Sequence, residues 1–461
     1  FGSSECERWR CSPAPVSARD RAGDSDAMVR KRELRPKPIF DEPALHEFML
    51  GHGVKPVHMR KIWRHVLAHP ECPLDEIPGI PDKIRGPLRE EFSVLTSTLV
   101  QTMCSAVDGT IKLLVRLQDG GEVEAVLIHH TGEAEHPEQR QADRCGQRDT
   151  LCVSSQVGCR LGCTFCATGT MGLAGNLWPG EIQEQLVHAR RHRAVSNVVF
   201  MGMGEPLENF DAVASAIHGL VDNQRFGLAP SSVTVSTVGI VGNMRRLMDE
   251  LPKVKLAFSL HAPTQELREQ IVPSGKSFKL DKLMEVIDEY AERTANDSKR
   301  KGAIMVSYVL LADVNDSDVC AHQLCDLLAQ RPVIVNLIPY NPFEGNPHGY
   351  ATPPPERVDA FLQILSKAEI RVFQRQHHGR DISAACGQLA KHSTASVVDI
   401  ESCSGSLAQD SIRKPHKGEG SKASPNKPAE ILRWHLATGG VLLVAACVAT
   451  AVLLRLQGRR R

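Results

Sequence analysis

Residues 152–171 read CVSSQVGCRLGCTFCATGTM, and they hold four of the chain's fourteen cysteines. Cys159, Cys163 and Cys166 are separated by three residues and then by two; we name them the loop cysteines. One loop with this spacing can wrap three thiolates around a cubane iron–sulfur cluster and leave the fourth iron free of protein ligands. An iron without a protein ligand is a place where a small molecule can bind.

Other uses of cysteine predict different patterns. A structural zinc site needs paired C-x2-C knuckles or suitably spaced histidines, and a ferredoxin cluster needs a fourth cysteine nearby, usually followed by proline. Neither pattern accompanies the loop cysteines. A disulfide framework is typical of a short secreted chain, whereas this chain has 461 residues. The spacing therefore favours an oxygen-sensitive cluster, which predicts a reducing compartment.

Composition bounds the architecture and the partners. A chain of 461 residues with 42% hydrophobic residues can build one large domain with a smaller appendage. The net charge of +1 predicts no nucleic-acid binding by itself. Any RNA contact must come from local clusters, such as Arg190, Arg191 and Arg193 or Arg371, Arg375 and Arg380. Ordinary solvated surface charge explains these clusters equally well.

Apolar runs alternate with amphipathic stretches beyond residue 150, which predicts an α/β fold. The predicted strands are Leu151–Val157, Asn197–Met201, Val233–Thr237, Val254–Leu260, Met305–Leu310, Val333–Ile338 and Ile370–Phe373. Predicted helices include Pro179–Arg193, Leu280–Arg293, Asp318–Gln330 and Pro355–Lys367. Such a series suits a partial or full (β/α) barrel, with its site at the C-terminal ends of the strands. The loop cysteines and the strings GMGEP, SLH and PYNP all follow predicted strands and should therefore share one face.

The flanking segments have other patterns. We predict a disordered tail at 1–40, a small helical domain at 41–105, a β-hairpin and loop at 106–150, the β/α domain at 151–395, a flexible linker at 396–430 and a transmembrane helix at 434–455. Leu436–Leu454 is nineteen uncharged residues, and a helix of that length spans roughly 28 Å, close to a bilayer core. This C-terminal hydrophobic helix predicts tail anchoring in an organelle membrane; a gene-model artefact is the alternative.

The motifs resemble a known family. C-x3-C-x2-C with Phe165 before its last cysteine resembles the radical S-adenosylmethionine (SAM) enzymes, in which SAM chelates the open iron. The longer CVSSQVGC-x3-C-TFC, together with Ala384-Ala385-Cys386-Gly387-Gln388-Leu389, resembles the RlmN/Cfr adenosine methyltransferases of ribosomal and transfer RNA. The resemblance extends from about Pro43 to Leu389.

The resemblance implies cofactors and their binding residues. It implies a [4Fe-4S] cluster on the loop cysteines and two SAM molecules per turnover. SAM contacts are implied for Gly204, Glu205, Ser236, Ser259, Leu260, His261 and Asn341. Glycine permits close backbone approach, and glutamate can pair with the SAM ammonium group.

The resemblance also implies a catalytic set. Cys386 would accept a methyl group and pass it, through a radical, to carbon 2 or carbon 8 of adenine. Cys152 would then release the product by forming a disulfide with Cys386. Glu124 would remove the ring proton, although a glutamate in a hairpin is more commonly a solvent-facing residue.

The resemblance also bears on the partners of the protein and on which adenine carbon is methylated. The resemblance implies an rRNA and/or tRNA substrate held partly by the helical domain, an electron donor such as flavodoxin or ferredoxin, a monomer, and a location facing the cytoplasm or inside an organelle. Residues 376–383 read QHHGRDIS, unlike the RGDDID-type string associated with carbon 2, whereas Glu205-Pro206 favours carbon 2. There are two alternative functions: a noncatalytic RNA-binding scaffold, and a radical SAM enzyme that acts on a small molecule or protein. The second alternative leaves Cys152 and Cys386 without a role.

Overall fold

The computed structural model describes residues 32–130, 148–294 and 304–390. Its main element is a ten-stranded sheet with the order β14-β13-β12-β11-β10-β9-β6-β5-β4-β3. The strands are β1 (Lys37–Pro38), β2 (Phe92–Ser93), β3 (Thr98–Cys104), β4 (Ile111–Arg116), β5 (Glu122–His130), β6 (Arg148–Cys152), β7 (Gln156–Cys159), β8 (Gly172–Asn176), β9 (Asn197–Phe200), β10 (Val233–Thr237), β11 (Lys255–Ser259), β12 (Ile304–Leu310), β13 (Val333–Pro339) and β14 (Arg371–Gln374).

The strands β6 and β9–β14 are all parallel and lie side by side in chain order. The helices are α1 (Glu42–Gly51), α2 (Val57–Ala68), α3 (Arg85–Glu91), α4 (Pro179–Arg190), α5 (Phe210–Val221), α6 (Val241–Glu250), α7 (Gln265–Ile271), α8 (Leu280–Thr294), α9 (Asp318–Leu328) and α10 (Pro355–Lys367). Those from α4 to α10 connect the parallel strands. Within the described residues β14 and β3 stay at opposite edges of the sheet, so the barrel is partial.

The predicted α/β pattern agrees with the structure at most strands. β10 and α10 have the predicted bounds, and the other strands differ by one or two residues. The exception is Leu151–Val157, predicted as one strand. β6 ends at Cys152, because the backbone of Ser154 exchanges hydrogen bonds with the Gln185 side chain (2.9 Å each way). The chain then leaves the sheet and forms β7, which pairs antiparallel with β8.

The N-terminal helices form where they were predicted, but the helical stretch ends earlier than residue 105. Asp41 caps α1 by accepting a hydrogen bond from the Ala44 amide (3.1 Å), and the buried Trp63 indole of α2 donates to the Ile39 carbonyl (2.8 Å). Thr98–Cys104 is instead the edge strand β3. It pairs with β4, so the predicted hairpin is part of an antiparallel meander that continues through β5 to β6.

Several predicted segments lie outside the described residues: most of the N-terminal tail, residues 131–147 of the predicted loop, the linker and the C-terminal hydrophobic helix at 434–455. In the part of the chain that the structure describes, no helix combines the length and the apolar character needed to cross a membrane.

Candidate active site

A cleft opens at the C-terminal ends of the parallel strands, as barrel geometry predicts. Its lining includes the loop cysteines and residues in or just after the C-terminal ends of β9, β10, β11 and β12, namely Gly204, Glu205, Val238, Ser259, His261 and Val309. The space between these residues is about 910 Å³ when the solvent at its mouth is included. The loop cysteines and the strand ends therefore share one cleft that is open to solvent.

The loop that carries the cysteines is held from three sides. It leaves β7 and returns through β8, where Gly158 has a φ of 76° and a Cβ there would stand 1.9 Å from the Gly172 carbonyl oxygen. The amide of Thr164 donates to the Ile271 carbonyl at the end of α7 (3.0 Å). The Thr168 hydroxyl donates to the Leu389 carbonyl (2.6 Å). The three thiols are therefore placed by a braced loop.

Burial makes these thiols reluctant to ionise on their own. Burial raises the pKa of Cys159 to about 12 and raises the pKa of Cys163 well above its ordinary value, with both neighbouring loop cysteines adding to the effect. Burial also raises the pKa of Cys166. Such thiols become thiolates when a positively charged centre binds them, and iron supplies that charge.

The arrangement suits a cluster better than a single ion. Among residues 32–130, 148–294 and 304–390, no three histidine, cysteine, aspartate or glutamate side chains converge closely enough to share one metal ion. The loop cysteines line a common cleft nonetheless. A cubane cluster takes each thiolate on a separate iron, so its ligands need not meet at one point.

The GMGEP turn brings a backbone and a carboxylate into the cleft. Gly204 has a φ of 99°, and a Cβ there would lie 2.5 Å from the Gln156 side chain. The Glu205 carboxylate accepts hydrogen bonds from the amides of Leu207 and Val238, each 3.0 Å. Burial raises its pKa to about 7, against the lowering effect of these donors. Glu205 is therefore pre-positioned and can switch charge near neutral pH.

Three predicted SAM contacts lie on the same wall. The hydroxyls of Ser236 and Ser259 are 3.3 Å apart, and both residues line the cleft. His261 has a φ of 62°, and its Nδ1 accepts a hydrogen bond from the Val309 amide (3.1 Å). Because burial lowers the His261 pKa to about 3, the ring stays neutral and its proton is on Nε2.

Two other predicted SAM contacts lie elsewhere. The side chain of Leu260 is fully buried. Its amide donates to the Ser307 carbonyl and its carbonyl accepts from Arg268, so Leu260 supports the wall from behind. Asn341 lines a neighbouring cavity instead. Its Nδ2 donates to the Cys386 carbonyl (3.2 Å), and its Oδ1 accepts from Arg380 (2.8 Å). In this conformation Asn341 positions the segment that carries Cys386.

That neighbouring cavity holds the two remaining cysteines of interest. Cys152 and Cys386 both line it, and its empty volume is about 490 Å³. Cys386 also lines the cleft of the loop cysteines, so it stands at the junction of the two spaces. Burial and the Cys386 neighbour raise the pKa of Cys152 to about 12. Both are free thiols, so the predicted disulfide is not a feature of this conformation.

Glu124 is not at the cavity surface. Its Oε1 pairs with the Lys112 ammonium at 2.7 Å, and the two side chains are only 3% and 2% exposed. Lys112 also donates to the Ser383 carbonyl (3.1 Å). Burial raises the pKa of Glu124, and the lysine opposes that rise. Glu124 and Val126 lie two positions apart on one face of β5. Val126 lines the cavity that contains Cys152 and Cys386, so Glu124 lies beside a residue of the cavity wall.

Sequence reasoning missed several residues of the site. Ser307 lines the cleft, and its only signal is a small polar residue inside an apolar strand. Arg375, predicted only as part of a basic cluster, lines both spaces. The sequence does not predict a role for Lys112 or Arg268, because each is buried by residues that are distant in the sequence.

Comparisons with known proteins agree with this geometry. Residues 153–323 match the model of the radical SAM superfamily. The chain is 37% identical over 352 residues to a probable dual-specificity RNA methyltransferase RlmN of Rhodopirellula baltica, covering 76% of this chain and 88% of that protein. It is 40% identical over 368 residues to a dual-specificity RNA methyltransferase RlmN of Anaeromyxobacter sp., covering 78% and 90%.

A solved structure extends the similarity to the fold. The crystal structure of a radical SAM methyltransferase from Sphaerobacter thermophilus superposes with a TM-score of 0.66 at 36% identity, covering 77% of this chain and 99% of that one. The resemblance inferred from the motifs is confirmed. The chain belongs to the RlmN family of dual-specificity RNA methyltransferases, within the radical SAM superfamily.

Proposed function

We propose that this protein methylates adenosine in RNA through a methyl group carried on Cys386. The observation that carries the proposal is the place of Cys386 at the junction between the cleft of the loop cysteines and the cavity of Cys152. A thiol there can take a group from a cofactor on one side and deliver it to a base on the other. The names of the relatives support RNA as the substrate class.

The cleft residues bind the cofactors. The loop cysteines would hold a [4Fe-4S] cluster, and the GMGEP turn together with Ser236, Ser259 and His261, which line the same cleft, would bind SAM. When bound, these cofactors supply a 5′-deoxyadenosyl radical that removes hydrogen from an unactivated carbon. Glu205 receives the SAM amino group, the Leu260 backbone supports the same wall, and Asn341 contributes from the Cys386 side.

The methyl group first moves to the protein. The Cys386 thiolate attacks the methyl carbon of one SAM, the carbon–sulfur bond of SAM breaks, and S-adenosylhomocysteine leaves with the electron pair. Removal of a hydrogen atom from this methyl group would use a second SAM, so each turnover would use two. Asn341 holds the Cys386 carbonyl, and Arg380 orients Asn341 by donating to its Oδ1.

Two further residues finish the reaction. The methylene carbon on Cys386 would bond to the adenine carbon, and the adduct would give one electron back to the bound cluster. Glu124 would then take the ring proton once its pair with Lys112 opens, and that pair is tied to the Cys386 segment through the Ser383 carbonyl. The Cys152 thiolate then attacks the Cys386 sulfur, a disulfide forms, and the released electron pair leaves a carbanion on the methylene carbon that takes a proton. The product is a methylated adenine.

The finer assignments follow the motifs. We propose carbon 2 of adenosine, with carbon 8 as the alternative, in large-subunit rRNA and/or tRNA. Arg375 and Arg380, beside the Cys152 cavity, are suited to contact RNA phosphates. A flavodoxin or ferredoxin would supply electrons, and the protein would act as a monomer.

Anaerobic reconstitution tests the proposal. Protein with iron, sulfide, SAM and dithionite is incubated with total RNA, and the RNA nucleosides are analysed by mass spectrometry against 2-methyl- and 8-methyladenosine standards. A methyl group on the Cys386 peptide and one methylated adenosine are expected. A reconstituted cluster that cleaves SAM while RNA and Cys386 remain unmethylated would refute RNA methylation and favour a small-molecule or protein substrate.

A further inference from the structure

Arg268, on α7, is a buried cation with no ion-pair partner among residues 32–130, 148–294 and 304–390. Its side chain is 0% exposed and is the largest fully buried one among the described residues. Within the described part of the chain the guanidinium donates to four backbone carbonyls and to no side chain; the four belong to Val238 (2.6 Å), Leu260 (3.2 Å), Phe278 (3.2 Å) and Ser259 (3.5 Å). Buried arginines are ordinarily paired with carboxylates. The positive charge of Arg268 is therefore free to act on a negatively charged group bound nearby.

The charge stands directly behind the cleft wall. Val238 and Ser259, which accept hydrogen bonds from Arg268, line the cleft together with the loop cysteines. Helix α7 also ends at Ile271, whose carbonyl accepts the Thr164 amide of the cysteine loop (3.0 Å). The helix that carries the arginine is thus braced against the loop that carries the thiols.

The Glu205 carboxylate does not pair with the Arg268 guanidinium. Glu205 accepts from the Val238 amide (3.0 Å), whereas Arg268 donates to the Val238 carbonyl (2.6 Å). The two side chains bind opposite backbone groups of one residue and do not form an ion pair among the described residues. The guanidinium therefore keeps its charge directly behind the Val238 and Ser259 backbone that lines the cleft.

We propose that Arg268 is the fixed counter-charge of the cluster and makes its reduction easier. The inference rests on the proposed cluster at the loop cysteines. A cluster held by three thiolates gains one negative charge when it takes an electron, and a nearby buried cation stabilises the more negative state. Arg268 is a positioning residue for charge and does not contact the reacting atoms.

Charge and architecture are separated by a pair of substitutions. Arg268→Lys keeps the positive charge but loses the multiple hydrogen bonds of the guanidinium, whereas Arg268→Met loses both; Arg268→Gln replaces the methionine variant if that one does not accumulate. Arg225→Met is the matched control. The Arg225 side chain is buried as well, at 3% exposure. It pairs with Glu42 (2.6 Å) and Asp222 (3.2 Å) and does not line the cleft.

The measurement is a potentiometric titration of the reconstituted cluster, with dithionite as the electron donor and the reduced cluster followed by electron paramagnetic resonance. For Arg268→Met, the ratio of reduced to oxidised cluster at a fixed potential should fall about tenfold, a shift of about 59 mV for one electron. Arg268→Lys should stay within about twofold of wild type, and Arg225→Met should not shift.

The outcomes distinguish this inference from the proposed function. Equal shifts in Arg268→Lys and Arg268→Met, or no shift in either, would overturn the counter-charge role and leave Arg268 as a brace of the cleft. A wild-type protein that binds no iron would overturn the cluster itself. Iron content and thermal unfolding are measured for each variant, so that a lost cluster is not mistaken for a shifted potential.

Discussion

The buried pair of Lys112 and Glu124 gives the sharpest test of how the Cys386 segment is held. The two charged atoms are 2.7 Å apart and both side chains are nearly inaccessible. Replacing either residue alone by methionine leaves the other charge buried and unpaired, which costs about 3–5 kcal/mol. Replacing both residues leaves no buried charge. The free energy of unfolding of the double variant should therefore lie within about 1 kcal/mol of the wild-type value, apart from the lost hydrogen bond from Lys112 to Ser383.

The assay is urea unfolding of the anaerobically purified protein, followed by circular dichroism, for the wild type and the three variants. Burial already raises the pKa of Glu124, and loss of Lys112 raises it further. A carboxyl whose pKa is higher in the folded chain favours folding when protonated, so Lys112→Met should cost most at pH 8 and less as the pH falls through the raised pKa.

Two results would refute this reasoning. If each single substitution lowers the free energy of unfolding by less than about 1 kcal/mol, the pair contributes no more than an ordinary exposed ion pair. A double variant that loses the sum of the two single costs would show that the residues are energetically independent.

The other predictions concern the thiols and the loop. Replacing any loop cysteine by alanine should remove iron and the brown colour after anaerobic reconstitution, and stoichiometric zinc without iron in the wild type would contradict the cluster. Cys386→Ala should abolish methyl uptake by protein and RNA, whereas Cys152→Ala should permit methylation of Cys386 and trap a covalent RNA adduct on denaturing gels; normal turnover of Cys152→Ala would exclude disulfide resolution. Gly158→Ala should lose iron binding, because its Cβ would stand 1.9 Å from the Gly172 carbonyl oxygen. Gly172→Ala is its control: nothing lies within 4 Å of that Cβ, so only the positive φ costs stability, about 1 kcal/mol, and an equal iron loss in both would remove the steric explanation.

Local patterns in the sequence were sufficient for the secondary structure of the barrel and for the cluster loop. Strand β10 and helix α10 end where apolar periodicity predicts, because alternation and helical spacing are properties of neighbouring residues. The loop cysteines belong to one short loop, so their spacing already constrains where three thiolates can go. The break after Cys152 was missed because it depends on Gln185, a side chain of a later helix.

Only the tertiary structure decided which distant residues meet. It brought Cys386 beside Cys152, buried Glu124 against Lys112, placed Asn341 on the Cys386 side and set Arg268 behind the cleft wall. None of these contacts has a local signature, since each depends on strand register and on which face of an element is turned inward. The sequence by itself determined the chemistry of the loop, and the packing of remote strands decided which thiol, carboxylate and cation surround it.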